Sequence, residues 1–258
     1  MAKQGLNAAE RSVSSGKRSL TDATALVTGA SSGIGRAIVI ALAQHGVRVC
    51  AVGRDPIRLG ETARSAGINS TVLPTETDLT EDHSMGRLEH ILVTQFGRLD
   101  ILVHSAGVVQ HNRMAGARLD DFDSQYALNV RMPYLLTKTL LPMLKESGGQ
   151  VVFINSTLGV NAKRPEVAQF AASQHAMRAI ADSLREEVNA DGIRVLSVYP
   201  GRTATPRQER LYREEGKAYR PDLLMQPEDV AAMVVSALCL PRTAEVTDIH
   251  MRPMRKSY

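Results

Sequence analysis

The sequence predicts a single α/β domain in which helices cover both faces of a parallel sheet. Short apolar runs alternate with segments whose apolar residues recur at helical spacing, and the first run ends in a glycine-rich turn. No linker, repeat or change of composition interrupts this alternation between Ala23 and Arg252. Residues 1–20 are rich in Ser, Gly, Lys, Gln and Asn, which predicts a flexible tail. We therefore expect one doubly wound domain over residues 21–258 behind that tail.

Seven short apolar runs are the predicted strands, and helices are predicted between them. The strands are expected at residues 23–28, 47–52, 70–73, 99–103, 150–154, 194–199 and 246–251. The helices are expected at residues 34–45, 57–66, 85–96, 129–144, 168–189 and 228–239. Because the strands are apolar along most of their length, they should be buried on both faces, as in a parallel sheet. The charged stretch 203–224 shows neither period and is expected to be irregular.

The composition argues against several classes of function. The chain has 31 Lys and Arg against 27 Asp and Glu, and the excess lies near its two ends without interleaved aromatic residues. Nucleic-acid binding is therefore not predicted. No apolar run approaches the length of a membrane helix, and residues 1–20 lack the apolar stretch of a secretory signal. Cys50 and Cys239 are expected to be reduced thiols of a cytoplasmic protein, and no side chains have metal-ligand spacing.

The turn after the first strand has the residues of a phosphate-binding site. Residues 28–35 read TGASSGIG between a predicted strand and a predicted helix. Glycines let the backbone approach a phosphate closely, and the helix N-terminus offers it unpaired N–H groups and partial positive charge. An ordinary strand-to-helix turn is the alternative, but the position between strand and helix favours a dinucleotide site.

Further motifs follow along the chain. Residues 77–80 (TDLT) resemble an acidic turn after a third strand, and residues 104–107 (HSAG) resemble an Asn-Asn-Ala-Gly motif with both Asn replaced. Asn129 resembles an Asn in a fourth helix. Residues 199–201 (YPG) and Thr203 resemble a Pro-Gly turn that closes over a nicotinamide. Together with the glycine-rich turn, these motifs make the chain resemble the short-chain dehydrogenase/reductase family.

The resemblance covers residues 22–253 and implies a Rossmann-type fold with a seven-stranded parallel sheet in the order 3-2-1-4-5-6-7. It also implies a nicotinamide cofactor and either reduction of a carbonyl or oxidation of an alcohol on a small-molecule substrate. The residues implied to contact the cofactor are Gly29, Ser31, Ser32, Gly33, Ile34, Gly35, Arg54, Asp78, Leu79, Ser105, Ala106, Gly107, Gln174, Pro200, Gly201 and Thr203.

The charge at the end of the second strand favours NADP(H) over NAD(H). NAD sites place an acid there to bind the ribose 2′-hydroxyl. Gly53 stands where that acid would be, and Arg54 follows it with a guanidinium suited to a 2′-phosphate. Asp55 opposes this assignment unless its side chain faces away.

The catalytic pattern of the family is broken in this chain. The family takes its proton from a Tyr whose pKa is lowered by a Lys four residues later, while a Ser holds the carbonyl oxygen. Alignment places Phe170 at the Tyr position and Gln174 at the Lys position. Thr157, beside Ser156, falls at the Ser position, and the helix-four Asn129 is retained. Phe has no ionisable proton and Gln is neutral, so neither replaces the usual general acid.

These observations leave more than one function open. The leading prediction is an NADP(H)-dependent carbonyl reductase or alcohol dehydrogenase with a non-standard proton source, which the substrate itself could be. The alternatives are a catalytically silent nucleotide-binding module and a non-redox enzyme that uses the same crevice.

Several polar residues near the predicted crevice could take over the missing role. His104 ends the fourth strand and is expected to tie strand backbones together. His175 lies about 100° around its helix from Gln174 and should face away from the nicotinamide. Four further residues are expected to be solvated loop residues, although each could bind an anion or donate a proton: His111, Asn112, Arg113 and Arg164. The charged segment 202–224 resembles the mobile substrate lid of the family.

Two predicted helices are apolar on more than one face, which requires a partner besides the sheet. Their apolar residues are Leu135, Leu136, Leu140 and Met143 in one helix and Met177, Ile180, Leu184 and Val188 in the other. The corresponding helices form a dimer contact in the family, so we expect a homodimer or homotetramer.

Overall fold

The computed structural model describes residues 19–81 and 83–255 as a seven-stranded parallel sheet flanked by helices. The strand order is β3-β2-β1-β4-β5-β6-β7, which confirms the predicted doubly wound fold and its order. The strands are β1 Thr24–Thr28, β2 Arg48–Gly53, β3 Val72–Glu76, β4 Ile101–His104, β5 Gln150–Ile154, β6 Arg194–Pro200 and β7 Asp248–Met251.

Helices of the described residues connect the strands and cover both faces of the sheet. They are α1 Gly33–Gln44, α2 Pro56–Ser65, α3 Ser84–Ile91, α4 Leu119–Tyr126, α5 Met132–Ser147, α6 Ala168–Val188, α7 Pro206–Glu214 and α8 Pro227–Leu238. A π-helical turn, Leu92–Phe96, continues α3, and a second one, Ala127–Arg131, joins α4 to α5. No helix in residues 19–81 and 83–255 combines the length and hydropathy that a membrane span needs.

Two apolar cores lie on opposite faces of the sheet, because successive residues of each central strand point to opposite sides. Val27 and Val103 belong to the core under α1 and α8, whereas Leu26 and Leu102 belong to the core under α3, α5 and α6. Leu20 is buried in the first of these cores. The predicted tail therefore extends one residue too far at Leu20, and its residues 1–18 lie outside the described part of the chain.

The third strand differs from its prediction at residues 70–73. It begins at Val72 and continues through Pro74 to Glu76. The proline made the run look finished, but β3 is the outermost strand and pairs only with β2. An edge strand tolerates proline because the missing N–H can lie on the unpaired side.

Two helices were missed by the sequence analysis, α4 and α7. Helix α7 lies inside the stretch that was expected to be irregular, so that prediction was wrong. Thr205 precedes the helix and its hydroxyl accepts a hydrogen bond from the Gln208 N–H at 3.2 Å. Pairs of opposite charge one turn apart then stabilise the exposed surface: Arg210–Glu214 at 3.4 Å and Arg213–Glu209 at 3.8 Å. The helix is too polar for the apolar period to reveal it.

Candidate functional site

A cavity of about 500 Å³ runs along the carboxyl ends of the strands. Each residue that the sequence analysis assigned to the cofactor or to the reaction lines this cavity. The strand order reverses between β1 and β4. In an open parallel sheet the loops that follow the two strands at such a point run in opposite directions and leave a crevice between them. The topology therefore brings together residues from Gly29 to Thr203 that are far apart in sequence.

The glycine-rich turn packs too closely for side chains. A Cβ atom added to Gly35 would lie 2.3 Å from the Gly29 carbonyl oxygen, and one added to Gly29 would lie 2.8 Å from the Ala106 nitrogen. Gly29 and Gly33 also have positive φ angles of 69° and 54°. No side chain caps α1, because Ser32 makes no capping hydrogen bond. The first N–H groups of α1 are thus left for a ligand, which fits a phosphate group.

Thr28 fixes the loop after β4 beside this turn. Its hydroxyl oxygen accepts hydrogen bonds from the N–H groups of Ser105 and Ala106, both at 3.1 Å. The hydroxyl donates to the Val103 carbonyl at 3.4 Å. The two loops that face each other across the crevice are therefore linked through a single buried side chain.

At the end of β2, Arg54 lines the cavity and Asp55 does not. Arg54 lines the cavity, whereas the Asp55 carboxylate caps α2 by accepting a hydrogen bond from the Arg58 N–H at 3.0 Å. Asp78 lies across from Arg54 and accepts hydrogen bonds from the Thr80 hydroxyl at 2.7 Å and the Thr80 N–H at 2.9 Å. These hydrogen bonds lower the pKa of Asp78, and Arg54 adds to the effect.

Phe170 and Gln174 are one turn apart on α6, and both face the cavity, as does Met177 on the next turn. Phe170 and Gln174 are buried, with exposed fractions of 8% and 7%. Phe170 packs with Val109 and Leu211 into a small apolar cluster. The cavity wall here is hydrocarbon, so it carries no proton donor at the Phe170 position.

The Asn129 amide ties the loop after β4 to α6. Its oxygen accepts a hydrogen bond from the Val108 N–H at 2.8 Å, and its nitrogen donates to the Val108 carbonyl at 2.9 Å and the Ser173 hydroxyl at 3.1 Å. On the wall formed by the loop after β5, the Ser156 hydroxyl accepts a hydrogen bond from the Leu158 N–H at 3.2 Å. Thr157 lies between these two residues and lines the cavity.

His104 is buried beneath the crevice. Its Nε2 atom lies 2.8 Å from the Thr137 hydroxyl, and its ring stacks on Phe153 with centroids 4.9 Å apart. The expectation that its side chain ties strand backbones together was therefore wrong, because its hydrogen bond reaches α5. Burial lowers the pKa of His104 to about 3, so the ring is neutral at pH 7.

His175 lies outside the residues that line the cavity, as its position around the helix predicted. Its Nδ1 atom is 2.9 Å from the Ala171 carbonyl of the same helix. Asn112 and Arg113 also lie outside the residues that line the cavity: the Asn112 side-chain amide donates to the Asp121 carboxylate at 3.4 Å, and Arg113 pairs with the Glu166 carboxylate at 3.1 Å. Nowhere in the part of the chain that the structure describes do three His, Cys, Asp or Glu side chains converge as in a metal site.

A charged cluster joins the lid to the far end of the cavity. Glu215 lies 3.5 Å from His111 Nδ1, 3.3 Å from Arg164 Nη2 and 2.6 Å from Lys217 Nζ. The His111 ring meets Phe170 edge-on, with centroids 6.4 Å apart. Burial and the Arg164 charge lower the pKa of His111, and Glu215 partly opposes them. His111 and Arg164 are thus part of the cavity wall and are not merely solvated loop residues.

Sequence reasoning chose Thr203 for the lid side of the cofactor site and missed Thr205. Thr203 is buried, and its hydroxyl donates to the Gly201 carbonyl at 3.2 Å. The Thr205 methyl group, in contrast, lies 3.0 Å from the position of a Cβ on Gly33, so Thr205 touches the glycine-rich turn. The sequence signal was present: a Thr before Pro206, followed by Gln208, is typical of a helix N-terminus.

Comparisons with known proteins agree with this geometry. The short chain dehydrogenase family matches residues 23–216, and the chain belongs to this family. An uncharacterized oxidoreductase of Staphylococcus aureus (strain USA300) is 31% identical over 91% of this chain and 99% of its own.

Two solved structures show the same architecture with bound nucleotides. An alcohol dehydrogenase from the archaeon Thermococcus sibiricus, complexed with 5-hydroxy-NADP, has a TM-score of 0.81 and 25% identity, covering 92% of this chain and 99% of that one. A 3-ketoacyl-(acyl-carrier-protein) reductase from Brucella melitensis, complexed with NADH, has a TM-score of 0.79 and 25% identity over the same shares. Structural neighbours thus bind either nicotinamide cofactor.

The buried His104 predicts a specific loss of stability in acid. An unfolded chain takes up a proton near pH 6.5, whereas the folded chain resists it down to about pH 3. This contribution is complete above pH 6.5 and falls by roughly 1.4 kcal/mol for each pH unit below it. The free energy of unfolding in urea, measured at pH 7 and pH 5, should drop less in a His104→Asn variant than in the parent. A His175→Asn variant is the control and should drop as the parent does; an equal drop in all three would contradict the prediction.

Proposed function

We propose that the protein is an NADP(H)-dependent oxidoreductase that reduces a carbonyl or oxidises an alcohol, with a proton source that is not the usual tyrosine. One observation carries the proposal: a single cavity joins the uncapped N-terminus of α1 to Arg54 at one end and to the His111–Glu215 cluster at the other. The similar alcohol dehydrogenase of Thermococcus sibiricus is complexed with an NADP derivative, which supports this choice of cofactor.

The chain's own residues fit a dinucleotide laid along the cavity. The N–H groups at the start of α1 would hold the pyrophosphate, and Asp78 and Leu79 would flank the adenine. Gln174 would hydrogen-bond the ribose next to the nicotinamide, which Pro200 and Gly201 would border. When bound, NADPH supplies the hydride.

The preference for NADPH is proposed from Arg54. The guanidinium lines the cavity at the end of β2, and Asp55, the acid next to it, is engaged as the cap of α2. An Arg whose neighbour Asp55 is engaged elsewhere favours a phosphate over a hydroxyl on the ribose.

Replacing Arg54→Ala should weaken NADPH binding by about 1–3 kcal/mol and leave NADH binding nearly unchanged, because only NADPH carries the 2′-phosphate. Fluorescence titration with both nucleotides measures this. Arg64→Ala removes the same charge from α2 outside the cavity and serves as the control. Equal losses for both nucleotides, or a parent that prefers NADH, would contradict the assignment.

Carbonyl reduction also needs a proton donor for the carbonyl oxygen, and we infer that His111 is this donor. Within the part of the chain that the structure describes, the His, Asp and Glu residues that line the cavity are Asp78, His104, His111 and Glu215. Asp78 lies at the adenine end and His104 is engaged by Thr137. His111 is therefore the remaining imidazole, next to Phe170, with the Glu215 carboxylate 3.5 Å from its Nδ1.

A His111→Asn variant should lose roughly 10²–10⁴-fold in turnover while its affinity for NADPH stays that of the parent. Because burial lowers the pKa of His111, reduction by the parent should slow as the pH rises through a value below 6.5, and alcohol oxidation should speed up. Steady-state rates between pH 5 and 8 measure both effects. Unchanged rates and an unchanged pH profile in the variant would exclude His111 and favour a proton from the substrate.

A catalytically silent nucleotide-binding module, or a non-redox enzyme in the same crevice, is the second candidate. It is favoured by Phe170 and Gln174, which we place at the Tyr and Lys positions of the family, and by Asn129, whose side-chain N–H groups are both engaged by the protein.

Changing Phe170→Tyr and Gln174→Lys together separates these candidates. The Lys charge should lower the pKa of the new phenol, so the double variant should reduce carbonyls faster than the parent, and each single variant should gain less. NADPH oxidation with a panel of ketones and aldehydes measures the gain. A double variant that binds NADPH but reduces nothing faster than the parent would favour the silent or non-redox candidate.

We also propose that the protein is a homodimer or homotetramer through α5 and α6. Tyr134 on α5 is 53% exposed, and Leu135 and Ile180 are only half-buried, so both helices present apolar surface away from the sheet. A cytoplasmic location stays a prediction from the two cysteines.

Light scattering should give two or four times the chain mass of 28.0 kDa at micromolar concentration. A Tyr134→Asp variant should shift towards the single-chain mass, because it puts a charge into the contact. Met233→Asp, at an exposed position of α8, is the matched control. A parent of single-chain mass would refute the assembly.

A further inference from the structure

Arg207 occupies an unusual place in the lid. It lies in the first turn of α7, two residues after Thr205, which touches Gly33 of the glycine-rich turn. Its Nη2 atom donates a hydrogen bond to the Gly107 carbonyl at 2.6 Å, and it lines the cavity. The side chain therefore extends from the lid to the loop after β4, over the middle of the crevice.

Arg207 has no acidic partner in the part of the chain that the structure describes. Among the described residues no carboxylate forms an ion pair with it, whereas four neighbouring cations of the lid are each paired with an acid: Arg210, Arg213, Lys217 and Arg220. Arg207 also lies at the positive end of α7, where a cation is disfavoured.

Three sources of positive potential meet at this point: the Arg207 guanidinium and the N-termini of α1 and α7. The unpaired cation and the uncapped α1 are independent observations, and both call for an anion between them. A guanidinium has five N–H donors, and only Nη2 is engaged within the described chain, by the Gly107 carbonyl. That hydrogen bond fixes the orientation of the group while most of its donors are left for a ligand.

We propose that Arg207 binds the pyrophosphate of the dinucleotide from the lid side, opposite the N–H groups of α1. The inference rests on the proposed nicotinamide cofactor and assigns it a contact outside the glycine-rich turn. The pyrophosphate is the anion that lies at the N-terminus of α1 in such a fold, whereas the 2′-phosphate belongs with Arg54 at the end of β2. The lid is thereby tied to the cofactor itself.

The test measures binding with Arg207→Met, which keeps the length of the side chain and removes its charge. Affinities are determined by titration for NADPH, NADH and adenosine 2′-monophosphate, which has the 2′-phosphate but no phosphate at the 5′ position. We expect NADPH and NADH to weaken by a similar factor of about 10–100, and the monophosphate to bind as to the parent. Arg207→Lys keeps the charge without the planar fork and should lie in between.

Arg210→Met is the matched control. Arg210 is on the same helix and donates to the Val109 carbonyl at 3.0 Å, but it lies outside the residues that line the cavity. Its replacement should leave all three affinities within about twofold of the parent. Circular dichroism checks that each variant is folded, and Arg207→Lys carries the test if Arg207→Met is not.

The outcomes separate this inference from the proposed function. Unchanged dinucleotide affinity in Arg207→Met overturns the pyrophosphate contact. Tighter binding overturns it as well, because Arg207 would then obstruct the crevice, and a loss confined to NADPH would assign it to the 2′-phosphate. A folded parent that binds neither NADPH nor NADH refutes the proposed function, and the inference falls with it.

Discussion

The close packing of the glycine-rich turn against the loop after β4 is the constraint on which the rest of the site depends. The turn leaves no room for a Cβ at Gly29 or Gly35, since backbone atoms already occupy those positions. This packing lets α1 start at the very edge of the sheet, and Thr28 joins the two loops through its hydroxyl. The crevice, the uncapped helix and the position of Gly107 all follow from that contact.

The two ends of the cavity have different chemistry. At the end of β2 an Arg faces the cavity while the neighbouring Asp caps a helix. At the other end an apolar cluster around Phe170 adjoins the polar cluster of His111, Arg164 and Glu215. The lid contributes Glu215 to this second end, where it pairs with Arg164 from the loop after β5.

Most of the fold could be predicted because its strands are apolar runs and its longer helices repeat at 3.6 residues. The failures have physical reasons. Pro74 ends the apolar run but not the strand, since β3 is an edge. Helix α7 buries only Leu211 and Tyr212 and is held by its cap and by ion pairs, so hydropathy does not reveal it. Hydrophobic periodicity reveals helices and strands that bury an apolar face. Elements that are stabilised in other ways do not show it.

The parts of the site that are formed by the backbone could be predicted from the sequence. The hydrogen-bond partners of its side chains were harder to predict. The glycine-rich turn needs glycine for steric reasons, so its residues could be named in advance. His104 could have bonded to either strand or helix, and only the packing of α5 brings Thr137 within 2.8 Å. The same holds for Thr203 and Thr205: both line the cavity, but the Thr203 hydroxyl donates to the Gly201 carbonyl, whereas the Thr205 hydroxyl caps α7.

The strand order has a consequence for how the chain is made. Strand β1 pairs with β4 through Ala25 and Ile101, and the Thr24 N–H donates to the buried Asp100 carboxylate, 76 residues further on. At cellular rates of synthesis, β4 leaves the ribosome on the order of 4–15 s after β1. During that interval the strands made first lack the neighbour that covers their inner edge. Until β4 arrives, the nascent segment that holds β1 to β3 therefore exposes an unpaired strand edge, which is a site for aggregation.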